Sequence, residues 1–169
     1  MPIAWSAHQL TGHYVPDFHS ASQGTPMFAT HSLGWYLPWA TLIAPGLELP
    51  PLRWPGEQAG VTAQAVAGID AGVPVITGTI DAWSEALSVG AHNVGDLMLM
   101  YGTTMFLINT VQAQLTSASM WGTVGALEGT RSLAGGMATS GAITSWLREL
   151  VGSPAYATLL AAAAASGPG

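Results

Sequence analysis

The run Val73 to Ile80, together with the helix pattern directly after it, constrains the fold of this chain more than any other stretch. It reads VPVITGTI, nearly all apolar or β-branched, the pattern of a strand buried on both faces. At Asp81 the pattern changes. Trp83, Ala86, Leu87 and Gly90 then fall at helical spacing as far as Ala91. A buried strand that feeds directly into a helix belongs to an α/β architecture, in which helices cover the faces of a sheet.

The remainder of the chain mixes both element types. Met1 to Leu10 has the character of the tail of a helix, with Gly12 as a left-handed cap. Thr25-Pro26 and Gly34 interrupt the next stretch. Trp35 to Leu52, with Trp39, Pro45 and Pro50-Pro51, predicts irregular, extended, partly buried chain. Thr62 to Gly68 predicts a short helix with Thr62 as its N-cap. Asp96 to Tyr101 and Met105 to Asn109 flank Gly102-Thr103-Thr104 as a β-hairpin, and Met120 to Ala126 and Thr130 to Ala134 predict two further strands. Thr139 to Val151 is a helix, with Ile143, Trp146, Leu147 and Leu150 on one face. Pro154 opens a last helix over Ala155 to Ala165. The composition changes at His92 to Gly95, which places a domain boundary there and divides the chain into residues 1–93 and 94–169.

Composition removes several classes of function. The chain has three Arg and no Lys, and a net charge of −6, so no basic stripe is available to a nucleic-acid backbone. There is no Cys, hence no disulfide and no thiolate metal site; this fits a reducing compartment. Met1 to Leu10 lacks the charged start and apolar run of a signal peptide, and Ala155 to Ala165 is too short to span a bilayer. The reading is of a cytoplasmic protein with no membrane or nucleic-acid partner. Only 7% of the residues are charged while 49% are hydrophobic, which is little solvating charge for a free-standing surface. Part of that surface is expected to be covered by other polypeptide.

Three places could carry chemistry, and each has a purely structural reading beside it. Asp81 stands where the strand yields to the helix, the end of an α/β sheet at which ligands bind. Its carboxylate could take a proton from a substrate hydroxyl, or simply cap the helix. The turn Gly102-Thr103-Thr104 could bring backbone N–H groups and hydroxyls to an anion, or be an ordinary hairpin turn. It is not a Walker A loop, having no Gly-Lys-Ser/Thr. Gly141 and Ser145, four residues apart on one helix face, could leave room for a flat ring or a phosphate, or serve close packing. The five histidines (His8, His13, His19, His31 and His92) are scattered without a shared face, so no metal site is expected, and no G-x-S-x-G elbow is present.

The order of these segments is more specific than any one of them. TGTIDAWSEALSVGA over Thr77 to Ala91, DLMLMYGTTMFL over Asp96 to Leu107 and SLAGGMATSGAITSWLRE over Ser132 to Glu149 follow one another as in the middle of the FGGY carbohydrate kinases. Upstream, Leu10-Thr11-Gly12, Asp17 with Ser20-Ala21-Ser22, Leu49-Pro50-Pro51-Leu52 and Gly56-Glu57 to Gly60-Val61-Thr62 are similar to the same family, so the resemblance covers nearly the whole chain. It implies an actin-like ATPase fold of ribonuclease-H-like α/β domains, present in part: the end of the first domain over residues 1–93 and the start of the second over 94–169.

The resemblance also implies an activity, the ATP- and Mg²⁺-dependent phosphorylation of a sugar hydroxyl. Asp81 would be the general base and, with Ala82, would touch the sugar. Gly102, Thr103 and Thr104 would contact the nucleotide phosphates, and Gly141 and Ser145 would face the nucleotide. Ala82 and Ser145 depart from the polar residues some relatives carry there, which favours a ketose such as a pentulose over glycerol. The family's opening phosphate-binding strand–turn and its later glycine-rich segments have no counterpart in this sequence, so the chain alone is expected to be inactive. Its expected partners are the sugar and ATP, with the remaining kinase segments or a second copy of the chain. A non-catalytic nucleotide- or sugar-binding module is the alternative, and a small hydrolase using Asp and His is a third reading.

Overall fold

Helix α1 (Pro2–Thr11) turns Ala4, Ala7 and Thr11 inward, a spacing of three and four that makes one buried face. Gly12 ends it as the sequence predicts: its φ is +78° and its N–H donates to the His8 carbonyl at 2.7 Å. The structure, a computed structural model, describes residues 2–167. Asp17 then N-caps α2 (Phe18–Ser22), its Oδ2 accepting the Ser20 N–H at 3.0 Å. Strands β1 (Phe28–Ala29) and β2 (Gly34–Trp35) form a short antiparallel pair. Phe28 joins Ala21 and Val124 in a core cluster that Phe18, Leu33, Trp35, Leu52 and Trp54 close over.

Three expectations are corrected in the next stretch. Within Trp35 to Leu52 the chain forms a helix, α3 (Leu37–Ile43), where irregular chain was expected; Pro38 sits in its first turn, where a fixed φ and a missing N–H suit a helix start. Thr62 to Gly68 is not a helix and Thr62 is no N-cap. The chain there is a loop between β3 (Gln58–Val61) and β4 (Pro74–Ile76), which pair antiparallel. The Thr62 hydroxyl staples that loop, donating to the Asp70 carbonyl at 2.6 Å and accepting the Val73 N–H at 2.9 Å. Val73 to Ile80 supplies only the three residues of β4, and it is not buried on both faces: Ile76 is 61% exposed. Burial resumes beyond β4, at Thr77 and Thr79.

Helix α4 (Asp81–Ser88) comes next, with Trp83 and Ala86 buried. Then come β5 (Leu97–Tyr101), β6 (Met105–Val111), β7 (Trp121–Val124) and β8 (Arg131–Met137), in one four-stranded sheet of order β5-β6-β8-β7. The predicted hairpin and both later strands are present, and β7 pairs with β8 antiparallel from Trp121↔Ala134 to Val124↔Arg131. Helices α5 (Gly141–Leu150) and α6 (Tyr156–Ser166) end the chain, and neither buries a residue. The chain divides into two units: Met1–Met98 with Ile108–Ala134, and Leu99–Leu107 with Gly135–Gly169. Neither is continuous in sequence. Among the described residues no helix is long and apolar enough to cross a membrane.

Candidate active site

Asp81 is the first residue of α4, not its N-cap; Ile80 holds that position, and the Asp81 Oδ1 accepts the neighbouring Ala82 N–H at 2.8 Å. The carboxylate is exposed, in the first turn of a helix, where the free N–H groups favour an anion. It borders a recess of about 390 Å³ lined by Pro2, Ile3, Ser6, Thr79, Ile80 and Asp81. Gly78, three residues ahead of Asp81, lies against α1: a Cβ there would stand 2.5 Å from Ile3 Cγ1. Ala82 is half-buried beside the acid.

Asp81 is held from both sides. Behind it, Trp83 is 5% exposed, its Nε1 donates to Ser132 Oγ at 3.0 Å, and its ring lies 3.9 Å, centroid to centroid, from that of His19. Ahead of it, the Thr79 hydroxyl donates to Asp17 Oδ2 at 2.9 Å. His19 is fully buried, with Nδ1 2.6 Å from the Val124 carbonyl, so Nδ1 carries the proton. Burial pulls its basicity below the ordinary histidine value, against the opposing pull of the Val124 carbonyl and the nearby Asp17 carboxylate. The sequence singled out neither Asp17 nor His19 as functional. The signal available for Asp17 was Asp three residues ahead of Ser20, an N-cap pattern; His19 had none.

The second group assembles in the other unit. Gly102, Thr103 and Thr104 are exposed in the turn between β5 and β6. The start of α5 is closed onto that turn by backbone bonds: Ser140 N–H to the Thr103 carbonyl at 2.9 Å, and Gly141 N–H to the Gly102 carbonyl at 2.8 Å. A Cβ at Gly141 would meet the Gly102 carbonyl oxygen at 2.5 Å. The room that glycine leaves is therefore taken by backbone, which welds the helix start to the turn. Ser145 is exposed one turn along α5 and shares a hydrogen bond of 2.9 Å with the Tyr156 hydroxyl. So Gly102, Thr103 and Gly141 are adjacent, and Asp81 and Ala82 belong to the first unit.

Among the described residues no group of three or more His, Asp or Glu could hold a metal ion.

No protein-family model and no curated protein matches the sequence. Solved structures do. A xylulose kinase from Rhodospirillum rubrum superposes with a TM-score of 0.83 over 98% of this chain and 35% of its own, at 24% identity. A glycerol kinase from Plasmodium falciparum, solved with ADP, gives 0.71 over 86% of this chain and 31% of its own, at 19% identity. A xylulose kinase from Bifidobacterium adolescentis gives 0.74 over 91% and 36%, at 16% identity. The chain has the sugar-kinase fold. It spans about a third of the length of those kinases, so the actin-like architecture expected from the FGGY resemblance is present in part. The motifs that suggested it run along the chain from the end of α1 to α5.

Proposed function

We propose that the chain supplies the acceptor-activating base and part of the nucleotide site of an ATP-dependent sugar kinase. Residues 1–93 would close its first domain and residues 94–169 open its second. Asp81 takes the proton of a sugar hydroxyl as that oxygen attacks the terminal phosphorus, and Asp81 and Ala82 contact the sugar. Bound ATP supplies the phosphoryl group, the γ-phosphorus parting from the β–γ bridging oxygen as the new P–O bond forms, and ADP leaves. Gly102, Thr103 and Thr104 hold its phosphates, and Gly141 and Ser145 border the nucleotide. Phosphoryl transfer asks mainly for positioning and charge stabilisation, which a fixed carboxylate and a rigid turn can give. The small Ala82 and Ser145 side chains favour a ketose such as a pentulose.

The observation that carries the reading is Asp81 itself, an exposed carboxylate on a helix start whose flanking residues, Thr79 and Trp83, are both buried and hydrogen-bonded. Nuclear magnetic resonance titration of the chain with pentuloses, and separately with ATP and Mg²⁺, tests it. The sugar is expected to shift the resonances of Asp81 to Trp83, and the nucleotide those of Gly102 to Thr104. Asp81→Asn should abolish the sugar response and leave the nucleotide response. A folded chain that responds to neither ligand refutes the proposal. A non-catalytic sugar- or nucleotide-binding module, the second reading, is separated by a coupled ATP-consumption assay across pentuloses and hexuloses. That assay is run with the chain alone, expected to be silent, and with the remaining kinase segments added. Binding without turnover in both settings favours the module.

A further inference from the structure

The mechanism just proposed leaves one buried acid unused. Asp17 is 0% exposed, and two elements far apart in sequence meet at its carboxylate. Oδ2 accepts the Ser20 N–H at 3.0 Å and the Thr79 hydroxyl at 2.9 Å, while Oδ1 is buried with no hydrogen-bond partner. The backbone on either side of it is fixed as well, by Phe18 N–H to the Arg53 carbonyl at 3.0 Å and Arg53 N–H to the Pro16 carbonyl at 3.3 Å. A carboxylate out of contact with water is destabilising unless its bonds compensate, so an N-cap alone, which an exposed Ser or Asn would provide, does not account for it. What Asp17 adds is the long-range bond to Thr79. Thr79 is followed by Ile80, the N-cap of α4, and then by Asp81.

We infer that Asp17 is a positioning residue for Asp81, fixing through the Thr79 hydroxyl the segment from which that acid projects. The inference rests on the proposed role of Asp81 for its functional meaning, and on the Asp17–Thr79 bond for its physics. The anchor is rigid because Asp17 is tied into α2 and to Arg53, and charge-assisted because the acceptor is a carboxylate, which makes such a bond about twice as strong as a neutral one. Trp83 holds the same helix turn from the other side. With both in place the first turn of α4 opens rarely; with the Asp17 bond removed it is held from one side only.

Amide hydrogen exchange on the intact chain, with no sugar or nucleotide present, reads this directly. The reporters are the Trp83 and Ser84 N–H groups, which donate to the Ile80 carbonyl at 3.1 and 3.0 Å; the control is the Thr110 N–H, which donates to the Asp96 carbonyl at 3.0 Å. Thr79→Val, which keeps the shape and removes the donor, should speed exchange at the reporters about tenfold or more and leave the control unchanged. Thr79→Ser should restore the wild-type rate. Should Thr79→Val not fold, Thr79→Ala against Thr79→Ser carries the test, with faster reporter exchange expected in Thr79→Ala alone. Unchanged reporters, or an equal rise at reporters and control, would overturn the inference. Because no ligand is used, a failed kinase reading and a failed anchor give different results.

Discussion

Two glycines in this chain face the same steric distance and should respond differently to the same substitution. A Cβ at Gly141 would lie 2.5 Å from the Gly102 carbonyl oxygen and 3.2 Å from its carbon; a Cβ at Gly78 would lie 2.5 Å from Ile3 Cγ1. At Gly78 the obstacle is a side chain, 38% exposed near the start of α1, and a small shift of that helix end or of the Ile3 χ1 relieves it, so Gly78→Ala should cost about 1 kcal/mol, the low end of overpacking. At Gly141 the obstacle is backbone. The start of α5 must back away from the turn, breaking or lengthening the bonds Ser140 to Thr103, Gly141 to Gly102 and Ala142 to Thr103, now 2.9, 2.8 and 3.4 Å. Each such bond is worth about 1 kcal/mol net. Alanine returns up to about 1 kcal/mol in helix propensity, which leaves Gly141→Ala destabilising by about 2 kcal/mol. Urea unfolding of both variants, followed by circular dichroism and compared at equal m-values, measures the difference. If Gly141→Ala costs no more than Gly78→Ala, the weld between turn and helix is not what the glycine serves.

Trp83→Phe removes the indole donor and leaves Ser132 Oγ buried without it; a loss of about 2 kcal/mol is expected, visible as a lower thermal midpoint. His19 makes stability depend on pH. Its folded value lies below the ordinary 6.5, so its contribution is complete above pH 6.5 and is lost as pH falls from there toward the folded value. The slope in that window is at most about 1.4 kcal/mol per pH unit, read from urea midpoints on the acid side of pH 7, and His19→Gln should flatten it.

What a single sequence can reveal here is what is local in it. Gly12 ends a helix, Gly102-Thr103-Thr104 turns a hairpin and Pro154 precedes a helix because each of these depends on a few neighbouring residues, and each is where the pattern puts it. Thr62 has the same chemistry as an N-cap, but its hydroxyl serves Asp70 and Val73 across a loop, and nothing near Thr62 distinguishes those partners from a helix turn. Val73 to Ile80 has the composition of a buried strand, yet its partner β3 is its sole neighbour in a two-stranded sheet, so burial is decided by the surroundings and not by the residue types. Helix α3 carries a local signal, Pro38 in its first turn, but a proline there fits the extended, proline-rich chain around it equally well. At the candidate site, Asp81 was legible because it lies at a junction of patterns. Its anchors were not: Asp17 meets Thr79 across 62 residues, and His19 meets Val124 across 105. The change of composition at His92 to Gly95 coincides with a tight turn, in which the Asp96 carboxylate accepts the Asn93 N–H at 2.8 Å.

Helix α6 carries a last consequence. Its sequence, YATLLAAAAAS, has no charged side chain and none of its residues is buried. Eleven residues are too few for even an alanine-rich helix to hold together well in water, so this one leans on what its first residue touches: the Tyr156 hydroxyl shares a hydrogen bond with Ser145, and the Arg148 guanidinium lies 5.0 Å from the ring centroid. The helix is therefore pinned at one end only, and its fraying should begin at the Ser166 end and run back toward Tyr156.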